Sequence, residues 1–158
     1  MTQRRIDYFD APDAPRPNSL VPAASAIVVN EAKEILLHRR SDNDLWSLPG
    51  GAMELAESIL QTVVREVKEE TGLDVTPVRV TGIYTDPRSV VAFADGEVRQ
   101  QFSICFLCSI VGGELNVSSE STEVRFVQPA TIHSLNMSPS VRLRIRHYFE
   151  GRPEPAVT

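Results

Sequence analysis

Glu66, Glu69 and Glu70 stand at i, i+3 and i+4. On a helix these positions are neighbours on one face, and three like charges so placed repel one another. A polyvalent cation turns that repulsion into attraction. Mg²⁺ prefers carboxylate oxygens and waters, and it commonly shares its shell with substrate phosphates. Arg65 lies next to the cluster and can orient the carboxylates through charge-assisted hydrogen bonds. Gly50 and Gly51 precede the cluster, where residues without a Cβ let a phosphate or a metal approach the main chain.

The elements that must position these groups are legible nearby. Ile59, Val63 and Val67 recur every four residues, flanked by Leu60 and Val64, which predicts a helix over 58–71. Gly72 stands at the expected C-terminal cap. With about 100° per residue, Glu70 falls about 50° from the centre of the apolar stripe and Glu66 about 90° from it. A solvated acidic face would lie opposite the stripe. Carboxylates at the edge of a core require partners, and a metal or an arginine would supply them.

Strand-like text surrounds the helix. Residues 23–30 and 34–40 read as two strands, followed by a polar loop and Leu48-Pro49-Gly50-Gly51. Strand character resumes over 75–84, then over 90–94 and 98–107 around the hairpin signal Asp95-Gly96. A short strand is expected over 123–127 and a last helix over 138–150. Residues 1–22, with Pro12, Pro15, Pro17 and Pro22, read as an extended arm, 23–150 as one domain, and 151–158 as a tail. Strands around one strong helix and one terminal helix imply a mixed α/β or α+β layered fold.

The stretch Gly51–Leu73 resembles the Nudix box: glycine, five residues, glutamate, seven residues, then Arg-Glu-apolar-any-Glu-Glu-any-Gly-apolar. Gly51, Glu57, Arg65, Glu66, Val67, Glu69, Glu70, Gly72 and Leu73 fill its defined positions. The resemblance implies the family's α/β/α sandwich with a mixed β-sheet and a catalytic strand-loop-helix motif. It implies that Glu66, Glu69 and Glu70 bind Mg²⁺ or Mn²⁺, with the Gly50 carbonyl as a further ligand. Glu57 would support the site, and Arg65 would hold the glutamates. The implied activity is cleavage of a diphosphate bond in a nucleotide-like small molecule by activated water, with nucleoside triphosphates and ADP-ribose as leading substrates. Many relatives carry Glu-Pro-Gly-Glu where this chain has Glu54-Leu55-Ala56-Glu57, which predicts an altered loop path. Glu120, before the strand at 123–127, stands where relatives often place an extra glutamate and is the candidate additional ligand or base. Relatives commonly form homodimers. A non-catalytic sensor of a nucleotide-derived ligand is the alternative within the same fold.

Other residues complete the expectations. Arg39, Arg40, Trp46 and Arg99 are candidates to touch substrate, with packing the simpler role for Trp46. Arg142, Arg144 and Arg146 read as a solvated helix face, and His38, His133 and His147 as scattered. Cys105 and Cys108 are three apart in a strand, so they point to opposite faces and are read as buried, inert thiols. A length of 158 residues suits a single domain with a sizeable core. A net charge of -5 argues against a nucleic-acid polymer as partner. The text contains no membrane-length apolar run and no apolar leader, so a cytoplasmic location is expected.

Overall fold

The structure, a computed structural model, describes residues 4–158. The first three residues of the expected arm lie outside that range. The chain runs β1 (Arg5–Phe9), β2 (Ser19–Leu20), β3 (Ala23–Val28), β4 (Ile35–Arg40), β5 (Trp46–Ser47) and β6 (Gly50–Ala52), then α1 (Ile59–Thr71). It continues through β7 (Leu73–Tyr84), β8 (Ser89–Phe93), β9 (Val98–Gln100), β10 (Ser103–Gly113), β11 (Ser121–Val127), α2 (Pro129–Ile132), α3 (Pro139–Phe149) and β12 (Ala156–Val157). A mixed sheet of order β12-β7-β10-β3-β6 forms the centre. An antiparallel sheet β11-β4-β5 and a small sheet β1-β8-β9-β2 flank it.

Strand alternation builds two cores, and each helix covers one of them. On β3, Ala24, Ala26 and Val28 face Val63 and Val67 of α1, whereas Ile27 packs with Val141 and Ile145 of α3. On β4, Leu36 joins the α1 side and Ile35 and Leu37 join the α3 side. The result is the α/β/α sandwich that the resemblance implies. Cys105 lies in the α3-side core and Cys108 in the α1-side core. Both thiols are free and buried. Burial pushes the Cys108 thiol up to about 12.

Helix α1 begins with a reciprocal capping box between Ser58 and Gln61 and ends at Gly72 in the left-handed region, φ 82°. Its buried face is Thr62, Val63, Val67, Glu70 and Thr71. Leu60, assigned to the apolar stripe from its spacing, is exposed instead. It lies in the first turn, at the rim of the contact with the sheet.

Both chain ends are tied into sheets. Residues 11–18 carry no strand or helix. β1 pairs antiparallel with β8 and β2 pairs parallel with β9, so the expected extended arm carries two strands. The expected tail contains β12, which pairs with β7. The strand expected over 98–107 breaks at Gln101–Phe102, where the chain leaves the small sheet at β9 and enters the central one at β10.

Candidate active site

Three segments meet beside Gly50. β6 brings Gly50 and Gly51 antiparallel to β3, with Ser25 opposite Gly50. α1 crosses behind them, and the loop before β11 brings Glu120, whose carbonyl accepts from the Ser41 backbone. A Cβ on Gly50 would collide with the Ala24 carbonyl, and one on Gly51 would collide with the Glu66 carboxylate. The Ala24 main chain cannot give way, so glycine is required at Gly50, whereas at Gly51 the obstacle is the movable end of the Glu66 side chain.

The glutamates occupy three different environments. Glu70 is 2% exposed, and its Oε2 accepts from the Gly50 backbone N–H at 3.0 Å. Burial first, and then the Glu66 charge, hold its carboxyl well above the ordinary range. Burial also raises Glu66, against the opposing effect of Arg65. The Glu120 charge acts on both. Glu69 is solvent-facing, its side chain 58% exposed.

Arg65 organises the outer half of this cluster. Its Nε donates to Glu57 at 3.0 Å, and its Nη2 donates to Glu57 at 2.8 Å and to the Ala52 carbonyl at 3.1 Å. Its Nη1 donates to Glu66 at 2.9 Å and to Glu69 at 3.2 Å. The Arg65 hydrogen bonds hold the Glu57 carboxyl down at about 2. Glu57 also caps the loop, accepting from the Glu54 N–H at 2.8 Å and from Thr62 Oγ1 at 2.9 Å. In that loop Ala56 adopts φ 67°, a left-handed turn made without glycine.

His38 was not singled out as a site residue by the sequence. Its ring is 1% exposed, with Nδ1 2.7 Å from Ser121 Oγ and Nε2 3.4 Å from Glu70 Oε2. Burial lowers its pKa to about 4, so the imidazole is neutral beside Glu70. The available signal was alternation: His38 follows Leu36 by two on β4 and therefore shares the α1 side.

A cavity opens from Gly50 and Gly51 toward β1, the β8–β9 hairpin and the start of α3. Ser25, Arg40, Arg99 and Arg144 are among its lining. Arg40 is held by both oxygens of Asp42, at 2.8 and 2.6 Å. Arg99 is held by Glu97 and lies 5.0 Å over the Phe93 ring. Two expected substrate contacts lie elsewhere. Arg39 alternates away from Arg40 on β4 and pairs with Asp44 at 2.8 Å. Trp46 is 6% exposed in the α3-side core under the Arg125 guanidinium, so it packs and does not line the cavity. Arg144, expected on a solvated face, turns inward onto this cavity.

The NUDIX domain model matches residues 19–148, a span that holds the box glutamates, the two glycines and both cores of the sandwich. The chain belongs to the NUDIX domain family. A MutT-like protein of Streptomyces ambofaciens is 35% identical over 130 residues, covering 82% of this chain and 77% of that protein. A Bacillus subtilis (strain 168) protein provisionally named 8-oxo-dGTP diphosphatase is 33% identical over 136 residues, covering 85% and 84%. Among solved structures, an ADP-ribose pyrophosphatase from Streptococcus suis 89-1591 superposes with TM-score 0.68 at 27% identity, covering 87% of this chain and 98% of that one.

Nudix hydrolases generally use divalent metal ions. Among the described residues, no three acidic, histidine or cysteine side chains already converge as a ligand set. Arg65 pairs with Glu66 at 2.9 Å and with Glu69 at 3.2 Å. The donor chemistry nevertheless fits a hard cation. Among the described residues the buried Glu70 carboxylate forms no ion pair with an arginine or lysine, its neighbour Glu66 is a second carboxylate, and the backbone beside them is stripped of Cβ atoms.

Proposed function

We propose that this Nudix hydrolase cleaves a phosphoric anhydride bond in a nucleoside diphosphate linked to another group, with nucleoside triphosphates and ADP-ribose as leading substrates. In this reading Mg²⁺ or Mn²⁺ is held by Glu66, Glu70 and the Gly50 carbonyl, with Glu69 at the exposed rim. The observation that carries it is Glu70: a carboxylate 2% exposed, charged only at a cost, beside Glu66 and within the field of Glu120. A bound cation supplies neutralisation of the diphosphate charge and an acidified water.

The chain's own groups do the rest. Gly50 and Gly51 leave the main chain open to phosphate oxygens. Arg65 fixes Glu57, Glu66 and Glu69 and so restricts how the acidic cluster can move during the reaction. Glu120, carried on an exposed loop, takes the proton of the attacking water at its carboxylate. Arg40 and Arg99 face the same cavity as substrate contacts, each oriented by its own carboxylate.

The test is turnover of a panel of nucleoside triphosphates, ADP-ribose, dinucleoside polyphosphates and nucleotide sugars, with Mg²⁺ and with Mn²⁺, beside Glu70→Gln. Metal-dependent cleavage that the variant loses is the expected result. Cleavage that persists unchanged without divalent metal, or in the variant, would overturn the proposal.

A further inference from the structure

Four arginines line the cavity: Arg5, Arg40, Arg99 and Arg144. Arg5 pairs with Asp7, Arg40 with Asp42 and Arg99 with Glu97. Arg144 alone among them has no carboxylate partner. Its Nη1 donates to Ser25 Oγ at 3.2 Å, and its Nη2 donates to Gln101 Oε1 at 3.0 Å and to Ser140 Oγ at 3.1 Å. All three acceptors are neutral. The guanidinium lies 5.4 Å over the Tyr84 ring, and its Nε is shut off from solvent with no hydrogen-bond partner. The guanidinium is partly buried and donates hydrogen bonds to neutral acceptors alone, so a ligand that brings further acceptor atoms would strengthen its environment.

Gln101 extends the pattern. Three donors converge on its amide oxygen: Ser89 Oγ at 3.1 Å, Ser140 Oγ at 2.6 Å and Arg144 Nη2 at 3.0 Å. That oxygen is saturated, and the orientation of the amide is fixed. Its NH₂ group is left without a partner among the described residues. This part of the cavity therefore offers donors, from Arg144 and Gln101, while the Gln101 oxygen is consumed internally. The same cavity is also lined by apolar side chains, Leu48, Val91, Phe93, Phe102 and Val141. Apolar lining beside free donors suits a ring with acceptors on its edge. Gly50 and Gly51 line the same cavity, so one nucleotide can reach from the carboxylate cluster to this wall.

We infer that Arg144 and Gln101 form a base-reading wall that selects a keto nucleobase, with guanine as the reference case, over adenine. Guanine presents O6 and N7, both acceptors, along one edge, whereas adenine presents N7 beside the N6 donor. Two protein donors facing an adenine N6 amino group would leave a donor unpaired on each side. The inference rests on the nucleotide-substrate reading above.

The test is calorimetric titration of the full chain with GMP and with AMP, which need no turnover, in the wild type, Arg144→Met and Gln101→Leu. GMP should bind about tenfold more tightly than AMP to the wild type, the discrimination expected of one well-made bidentate contact. In both variants the ratio should fall to about one, read in protein that stays folded by circular dichroism, although the lost hydrogen bonds lower the melting temperature. Equal or tighter binding of AMP, no binding of either nucleotide, or a ratio retained in both variants would overturn the inference. Displacement of GMP and AMP alike by inorganic phosphate, with Arg144 dependence but no base preference, would make the wall an anion site and also overturn it. GMP preference in a protein that hydrolyses no substrate would leave this inference standing and overturn the hydrolytic reading alone.

Discussion

Glu69 and Glu70 are adjacent in the chain and opposite in environment. Glu70 is buried against the Gly50 backbone, whereas Glu69 extends into solvent toward Arg65. Removing the charge at Glu70 should lower turnover by about 100-fold or more, the scale of losing a buried electrostatic group from an active site. Glu69→Gln should cost less than Glu70→Gln, because water partly screens the charge it removes. Steady-state kinetics at saturating Mg²⁺ checks the order, and a larger loss at Glu69 would move the metal to the rim. Ala56 offers a second residue-scale test. At φ 67° an L side chain is strained by about 1 kcal/mol, and glycine is not. Ala56→Gly should raise the urea-unfolding free energy by about 1 kcal/mol. No gain would mean that the loop relaxes the turn.

At the scale of elements, the loop from Glu54 to Ser58 and helix α1 are clamped together by Arg65 and Glu57. The clamp is electrostatic, so acid should open it. The Glu57 carboxyl is held at about 2, against 4.5 for the ordinary group. A depressed folded-state pKa contributes stability that is present above 4.5 and is lost as pH falls toward 2. Unfolding midpoints in urea, compared at pH 5 and pH 3, should therefore fall more in the wild type than in Glu57→Gln. Equal falls in both proteins would show that other carboxylates dominate the acid response. β9 and β10 illustrate a different constraint. The continuous strand text is divided because its two halves pair in different sheets, and the break sets Gln101 on the cavity wall.

For the whole molecule, the central sheet separates two cores, and the cysteines report on each. Cys105 packs under α3 and Cys108 under α1. Cys105→Ser and Cys108→Ser should each destabilise by about 1–3 kcal/mol, the cost of a buried hydroxyl with poor partners, while kcat changes little. Thermal melts and kinetics together check this. Lost activity in a well-folded variant would give the thiol a role that burial does not suggest. The ends of the chain belong to the same architecture. β1 supplies Arg5, Asp7, Tyr8 and Phe9 to the cavity wall, so the segment that reads as an arm closes part of the proposed binding site. Among the described residues no helix is long and apolar enough to cross a membrane.

The sequence by itself determined what is local. Ser58, the four-residue apolar spacing and Gly72 specify α1, and alternation on β3 and β4 specifies which residues face which helix. The spacing already put Glu70 nearer the core than Glu66, and the structure keeps Glu70 inside, while Glu69 lies outside. These properties follow from periodicity, which needs no partner element. Other features depended on tertiary structure, because they depend on which surfaces meet. His38 acquires meaning only when β4 lies beside α1 and Glu70. Trp46 leaves the list of substrate contacts because α3 and Arg125 cover it. Arg144 reads as one more charge on a polar helix until α3 docks over β3, β10 and Gln101, where its hydrogen bonds go to the neutral Ser25 and Gln101.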